Sequence, residues 1–404
     1  MSTKTLLIIG AGLQQIRAYQ RAKELGLRAV GTDQNPNAPA FAYADERLLC
    51  STRDPEETLT VVRAYAKKNA IHGVMTIAND VPLTVASVAE HLGLPNIGVA
   101  SARRVSHKAV MKSCFEAAGV PTPRYVVMRN RDEFLAAVAS RGFPLILKPS
   151  DGRGSKGVLF LDETIDLNWA WNTSSAACAN GELMLEECAA GPQVSVESIF
   201  IDDRYVPIAF ADRNYDRVPQ TKPYIVEDGG VIPSAIDVIT QQKISRLVET
   251  AARALGIHWG SVKADIVLTE SGPVIIELAA RLSGGFLATH HIPLAYGVDL
   301  VGTVIRVSLG EKITEADVQP QIRCYIGVRY MFGDAGRIKR IFVPKFTDPN
   351  IVVEQYLHEG DELPALLNAG CNAGFVLALA DTHALAEKKV KEAIARVEIV
   401  TERR

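Results

Sequence analysis

The 404-residue chain is 48% hydrophobic and 22% charged with a formal net charge of −2, apolar enough for two or three domains each with its own core. Near-neutral charge excludes the basic field on which nonspecific nucleic-acid binding depends, and no apolar run reaches the roughly 18 residues of a membrane span. The opening MSTKTLLIIGAG reads as a strand entering a glycine turn, not as a secretion signal. Six scattered cysteines (Cys50, Cys114, Cys178, Cys188, Cys324, Cys371), with no CxxC and no close histidine, read as reduced thiols of a cytoplasmic protein.

Residues 5–100 alternate strand and helix. TLLIIG, RAVGTD, GVMTIA and NIGV read as strands, with helices expected over 14–25, 55–69 and 83–92. This predicts a parallel α/β sheet, whose ligands bind beyond the carboxyl ends of its strands. The turn GAGLQQ, with Asp33 about 20 residues on, has part of a dinucleotide signature. Gln15 stands where its third glycine belongs, so the turn is read as serving some other anion.

SARRVSHKAVMKSCFEAAGVPTPRY then reads as one helix ended by Gly119, with Pro121 and Pro123 forcing extended chain. The strands YVVM, PLILKP, GVLFLD and ELMLEEC, with helices over 132–141 and 165–179, make a small α+β lobe. From Val194 to Glu277 strands dominate (VSVESIFID, RYVPIAFAD, ADIVLT, PVIIEL), interrupted by a helix over 241–255. Segment 214–230 has no clean period, and a long polar loop beside a site is often a lid. From about Val328 come short strands (RIKRIFVP, GFVLALA) and a final helix carrying ALAEKKVKEAIARV.

Three stretches carry chemistry. In ILKPSDGRGSKGV a strand delivers Lys148 into a turn where Gly152, Gly154 and Gly157 can take φ > 0 and aim N–H groups at an anion. Lys148, Arg153 and Lys156 would set positive charge beside phosphate oxygens; with no GK[ST] this is no Walker loop, and a flexible basic surface hairpin is the plainer alternative. In LMLEECAAGPQVSVE a strand delivers Glu186 and Glu187, and the small Ala189, Ala190 and Gly191 leave backbone open to an adenine edge. Taken alone, that stretch is a strand ending in an acidic turn. In KADIVLTESGPVIIELAARLSGG, Asp265 and Glu277 pair across a hairpin at ESGP. Acids on such apolar strands need a cation or a basic partner, and hard oxygen ligands suit Mg2+ bridging to phosphates. Arg281 follows, placed to meet developing negative charge; the alternative is an Asp–Arg pair holding the hairpin.

In this order, lysine, glycine-rich anion loop, hinge acid and paired carboxylates followed by arginine resemble the ATP-grasp superfamily, and within it the carboxylate–amine (amino-acid) ligase branch. The resemblance runs over nearly the whole chain. It implies an α/β fold with an N-terminal parallel pre-ATP-grasp domain (1–100), a two-lobed α+β ATP clamp (101–327, small lobe about 116–190) and a small C-terminal α+β lobe (328–404). It implies ATP phosphates on Lys108 and Lys148, and a loop of Gly152, Arg153, Gly154, Ser155, Lys156 and Gly157 closing over them. Glu186, Glu187, Cys188 and Ala189 match the adenine hinge and Gln193 the ribose position. Asp265 and Glu277 match the ligands of Mg2+ (or Mn2+), Arg281 the arginine that steadies an acyl phosphate, and Ser283, Gly284 and Gly285 the turn beside the acyl group. Glu197 and Asp212, as acids on strands facing the same cleft, are candidates for binding the amine; solvated strand positions are the alternative.

Two positions depart from the family pattern. Gln193 replaces a glutamate that holds the ribose hydroxyls, and Ala279 an asparagine that adds a magnesium ligand; water can fill the latter place. His290 and His291 are read as no metal site, because adjacent side chains point apart, and Asn79-Asp80 as a helix cap in preference to a substrate contact. The expected activity is an ADP-forming ligation of a small carboxylic acid to an amine through an acyl phosphate. The alternatives are a carboxylase or purine-pathway ligase with the same clamp, or a nucleotide-binding regulator without turnover, which only Ala279 favours. An oxidoreductase would need a nicotinamide site that the sequence lacks. The expected partners are the small-molecule acid and amine and a second copy of the chain as a homodimer, with no nucleic acid and no membrane.

Overall fold

Thr5–Ile9 is buried at every position, as a parallel strand covered on both faces must be. It lies inside a four-stranded parallel sheet in the order Glu46–Leu49, Arg28–Asp33, Thr5–Ile9, Gly73–Met75. The computed structural model describes residues 3–402. NIGV, expected as a strand, forms none: Asn96 accepts from Gly98 N at 2.6 Å and donates to Leu94 O, a local turn that competes with sheet pairing. The fourth strand is instead Glu46–Leu49, whose half-exposed alternation offers no apolar run to read.

The helix expected through SARRVSHKAVMK is two, Val99–Ser106 and Lys108–Ala117. His107 between them is extended (φ −126°, ψ 108°), and Lys108 N donates to Ser150 O at 2.8 Å instead of continuing the first helix. This break sets Lys108 in a first helical turn beside the anion loop.

The small lobe is an antiparallel sheet in the order Tyr125–Met128, Leu183–Glu187, Leu145–Pro149, Leu159–Leu161. Its helices Arg131–Arg141 and Leu167–Ala176 start at Asn130 and Asp166, each accepting N–H bonds of the first turn.

The large sheet has eight antiparallel strands: Gly272–Ala279, Gly260–Thr269, Gln193–Ile201, Arg204–Asn214, Gly229–Ile232, Tyr325–Tyr330, Gly374–Ala380 and Ile351–Gln355. The expected boundary at 327/328 falls inside Tyr325–Tyr330, so C-terminal strands continue the clamp sheet. Gly336–Phe342 pairs separately with Glu362–Leu363 and Glu398–Glu402.

Period-two alternation assigns the two faces of the large sheet. Val194, Val196, Val262, Ala264 and Ile266 share one apolar cluster with Ile244, Val248 and Ala251 of the helix Val238–Ala254. The intervening Ser195, Glu197, Lys263 and Asp265 therefore face the other way. Leu300–Ser308, rich in β-branched residues and given no element from sequence, is a helix buried at eight of nine positions. Burial against the N-terminal sheet and the helix Ile16–Glu24 overrides its weak helix propensity.

Segment 214–230 holds a helical turn, Val218–Thr221, and the strand Gly229–Ile232. It touches the small lobe, where Phe160 N donates to Pro223 O at 2.7 Å and Leu159 bridges Tyr224. Among the described residues no helix is long and apolar enough to cross a membrane.

Candidate active site

A cavity of about 340 Å3 lies between the small and large sheets. The small lobe contributes Lys148 at the end of Leu145–Pro149 and, from the turn after it, Gly152, Arg153, Gly154 and Ser155. Gly157 shapes that turn from outside the cavity. Its φ is +72°, and a Cβ there would come within 2.7 Å of Ala177 Cβ, so the position admits no side chain without a shift. Lys156 is exposed and does not line the cavity. Glu186, Glu187, Cys188 and Ala189 line it where the chain leaves Leu183–Glu187, and Gln193 where it enters the large sheet.

The floor is the hairpin, whose register sets Asp265 opposite Glu277, with a bulge after Asp265. Both carboxylates have cationic neighbours. Lys108 Nζ lies 2.9 Å from Glu277 Oε2 and holds its carboxyl well below the usual carboxylate range, against the opposing effect of burial. For Asp265 burial is the largest influence and acts upward, but Arg213 at 3.0 Å and then Lys263 outweigh it and the carboxyl ends lowered. Ser195 Oγ also donates to Asp265 at 2.8 Å. Both acids are thus ionised at neutral pH.

On the opposite wall Glu186 is buried between two lysines, Lys148 at 2.7 Å and Lys112 at 3.0 Å. Its carboxyl stays below its ordinary value because those cations offset burial. The carboxylate therefore points into a lysine pair, and what the 186–189 segment can offer a base edge is backbone.

Arg281 lines the end of the cavity and contacts Asp80 Oδ1 at 2.7 Å. The expectation of Asp80 as a helix cap is corrected: Val81 precedes Pro82–His91 and no side chain caps that helix. Burial works against the Asp80 charge, but Arg281 and then Lys108 hold the carboxyl low. The turn after Arg281 is pinned to the N-terminal sheet. Ala78 N donates to Leu282 O at 3.1 Å, and Gly285 N to Gln14 Oε1 at 2.9 Å. Gly284 packs so closely that a Cβ would stand 2.6 Å from Gln14 Oε1.

Ser283 N donates to Glu197 Oε1 at 2.8 Å. Glu197 is fully buried beneath the turn, and burial pushes its carboxyl up to about 7, with Ser283 opposing. Two N–H groups of the 283–285 turn, those of Ser283 and Gly285, are thus already engaged. Arg281, before the turn, lines this cavity, and Phe286, after it, lines a second one of about 780 Å3 with Gly10, Gly12, Asp33, Asn79 and Tyr356.

Asp212 is the clear displacement. It lies on the face opposite Arg213, bonded to Ser234 Oγ, to Ala235 N at 3.1 Å and to His383 Nε2 at 2.7 Å. Arg213 and Tyr215 line the cavity in its place. Period two was legible there, but its phase depended on which face the helix covers. Lys112 and Lys263 were likewise missed, although each stands one helical turn or one strand repeat from a named residue (Lys108, Asp265). His290 and His291 pack on different rings, Phe286 and Phe375, and neither lines either of these two cavities.

The donor set fits a magnesium nucleotide. Among the described residues no three His, Cys, Asp or Glu side chains converge, but Mg2+ needs only one or two carboxylates when phosphates and water complete its shell. Arg153 Nη1, buried at the anion turn, has no hydrogen-bond partner among the described residues, as a group awaiting an anion would not.

Comparison with known proteins places the chain by family. The ATP-grasp domain profile matches residues 105–285 and the ATP-grasp N-terminal domain profile residues 19–96. The chain is similar to the D-alanine–D-alanine ligase of Aromatoleum aromaticum, 30% identical over 219 residues, covering 52% of this chain and 68% of that one. It is 27% identical over 300 residues to the alanine–anticapsin ligase of Bacillus subtilis, covering 68% of this chain. The chain spans 60% of that ligase's length, under two thirds. In fold it resembles the L-amino acid ligase from Bacillus licheniformis, with TM-score 0.82, 20% identity and full coverage of both chains.

Proposed function

The chain belongs to the ATP-grasp family, and from that membership we propose an ATP-dependent ligase that joins a small carboxylic acid to an amine and releases ADP and phosphate. The observation that carries this reading is one cavity shared by Lys148 and Arg153 on one wall and Lys108, Asp265 and Glu277 on the other, with Arg281 at its end. The two relatives named for alanine couplings support an amino acid as one substrate.

Lys108, Lys148 and Arg153 would hold the phosphates, Asp265 and Glu277 the Mg2+, the 187–189 backbone the adenine and Gln193 the ribose. When bound, MgATP supplies the phosphoryl group that turns the carboxylate into an acyl phosphate. Arg281, held by Asp80, then faces the charge that grows on the acyl oxygen as the amine adds. The anion turn and segment 214–230, the latter in contact with the strand that follows the turn through Phe160 and Pro223, exclude water that would hydrolyse the intermediate. The second cavity, lined by Phe286 after the 283–285 turn, is the place we assign to the substrates.

The test is ADP release with MgATP against pools of small carboxylic acids and amino acids, for wild type and Glu277→Ala. Turnover with one pool, lost in the variant, is expected. Turnover that survives Glu277→Ala unchanged overturns the metal assignment, and tight ATP binding without turnover in any pool overturns the ligase.

A further inference from the structure

The reaction above gives the buried Lys112 no task. Lys112 lies one turn after Lys108 and is 1% exposed. Its Nζ sits 3.0 Å from Glu186 Oε1, the oxygen that also receives Lys148 at 2.7 Å. A single lysine would neutralise Glu186, and burying a second one costs desolvation free energy that core packing alone does not repay. Lys112 also donates to Thr122 Oγ1 at 2.8 Å, and that hydroxyl donates to Ile275 O at 2.8 Å, two residues before Glu277. A polar chain, buried at Glu186 and Lys112 and partly buried at Thr122, thus runs from the small-lobe strand Leu183–Glu187, through Lys112, to the large-sheet strand Gly272–Ala279.

We propose that Lys112 is a positioning residue that keeps Glu186 neutralised when Lys148 turns from it to an anionic ligand. The inference rests on Lys148 being a phosphate ligand, as read above. In the structure as it stands Lys148 is committed to Glu186. Drawing it to a phosphate would leave a buried, unpaired carboxylate unless another cation stays behind, and such a charge is strongly destabilising. Lys112 is that cation, and the Thr122 link keeps it from following Lys148. Tyr125 closes the site from the other side, its ring centroid 5.9 Å from Lys112 Nζ.

The test is calorimetric MgADP binding to the full chain for Lys112→Met, Glu186→Gln and the double variant, with thermal unfolding of each. Lys112→Met is expected to weaken MgADP by at least about tenfold. In the Glu186→Gln background, where no carboxylate can be stranded, the same substitution should change affinity less than about twofold. A role confined to packing predicts a lower melting temperature with unchanged affinity, and that result overturns the proposal. An equal loss of affinity in both backgrounds also overturns it. Should Lys112→Met alone fail to fold, the comparison of Glu186→Gln with the double variant still decides, because a loss of about tenfold there is incompatible with the proposal. Lys148→Met is the separate control: unchanged MgADP affinity in that variant refutes the phosphate reading of Lys148 and not the pairing of Lys112 with Glu186.

Discussion

Replacing Glu197 by glutamine isolates a carboxyl held well above its ordinary range. The carboxyl is 0% exposed, one oxygen accepts from Ser283 N at 2.8 Å, and the other has no hydrogen-bond partner among the described residues. Burial pushes it from 4.5 up to about 7, against Ser283, Arg281 and Lys263. Because the folded value is raised, the native state keeps a proton that the unfolded chain has already released, so stability falls as pH rises between about 4.5 and about 7. At about 1.4 kcal/mol per pH unit the loss accumulates to about 3 kcal/mol above pH 7. Glutamine keeps the shape and the acceptor oxygen and never ionises. Glu197→Gln should therefore match wild type near pH 4.5 and exceed it by about 3 kcal/mol near pH 8. Urea unfolding of both proteins at intervals from pH 4.5 to 8, at constant ionic strength, reads the difference directly. A difference that stays flat over that range refutes the argument, since it means the buried oxygen titrates alike in the folded and unfolded chains.

Three further outcomes follow from the geometry. Asp80→Asn removes the negative partner of Arg281 and should lower kcat about tenfold or more with MgADP affinity unchanged; steady-state kinetics beside calorimetry checks both halves. Gly157→Ala forces a methyl group against Ala177 in a φ > 0 turn and should destabilise the small lobe by about 1–3 kcal/mol while weakening nucleotide binding, read by thermal shift with and without MgADP. Asp212→Ala breaks the ties to Ser234, Ala235 and His383, so it should cost about 1–3 kcal/mol of stability and leave KM for both substrates unaltered; a raised KM for the amine would restore Asp212 to the substrate site.

Much of this protein was written locally. The strand TLLII with its four consecutive apolar residues, the glycines at 152, 154 and 157, and acids on apolar strands at 265 and 277 each state a physical demand that short stretches can express. Strand–helix alternation over residues 5–100 anticipated a parallel first sheet, and the resemblance that the later motifs carry implied a two-lobed clamp. Glu46–Leu49 and Leu300–Ser308 escaped because their state is set by what covers them. An edge strand that is half exposed has no apolar run, and a β-branched helix exists only because a sheet and another helix bury it. The site divides in the same way. A local pattern gives the period of a strand but not its phase, and the helix Val238–Ala254, by covering Val194 and Val262, decided that Arg213 and not Asp212 faces the cavity. Charge pairing belongs wholly to the tertiary structure. Asp80 meets Arg281 across 201 positions and Glu186 meets Lys112 across the lobe boundary, because a buried charge takes its counter-ion from whatever the fold brings within a few ångströms, and sequence distance has no part in that energy.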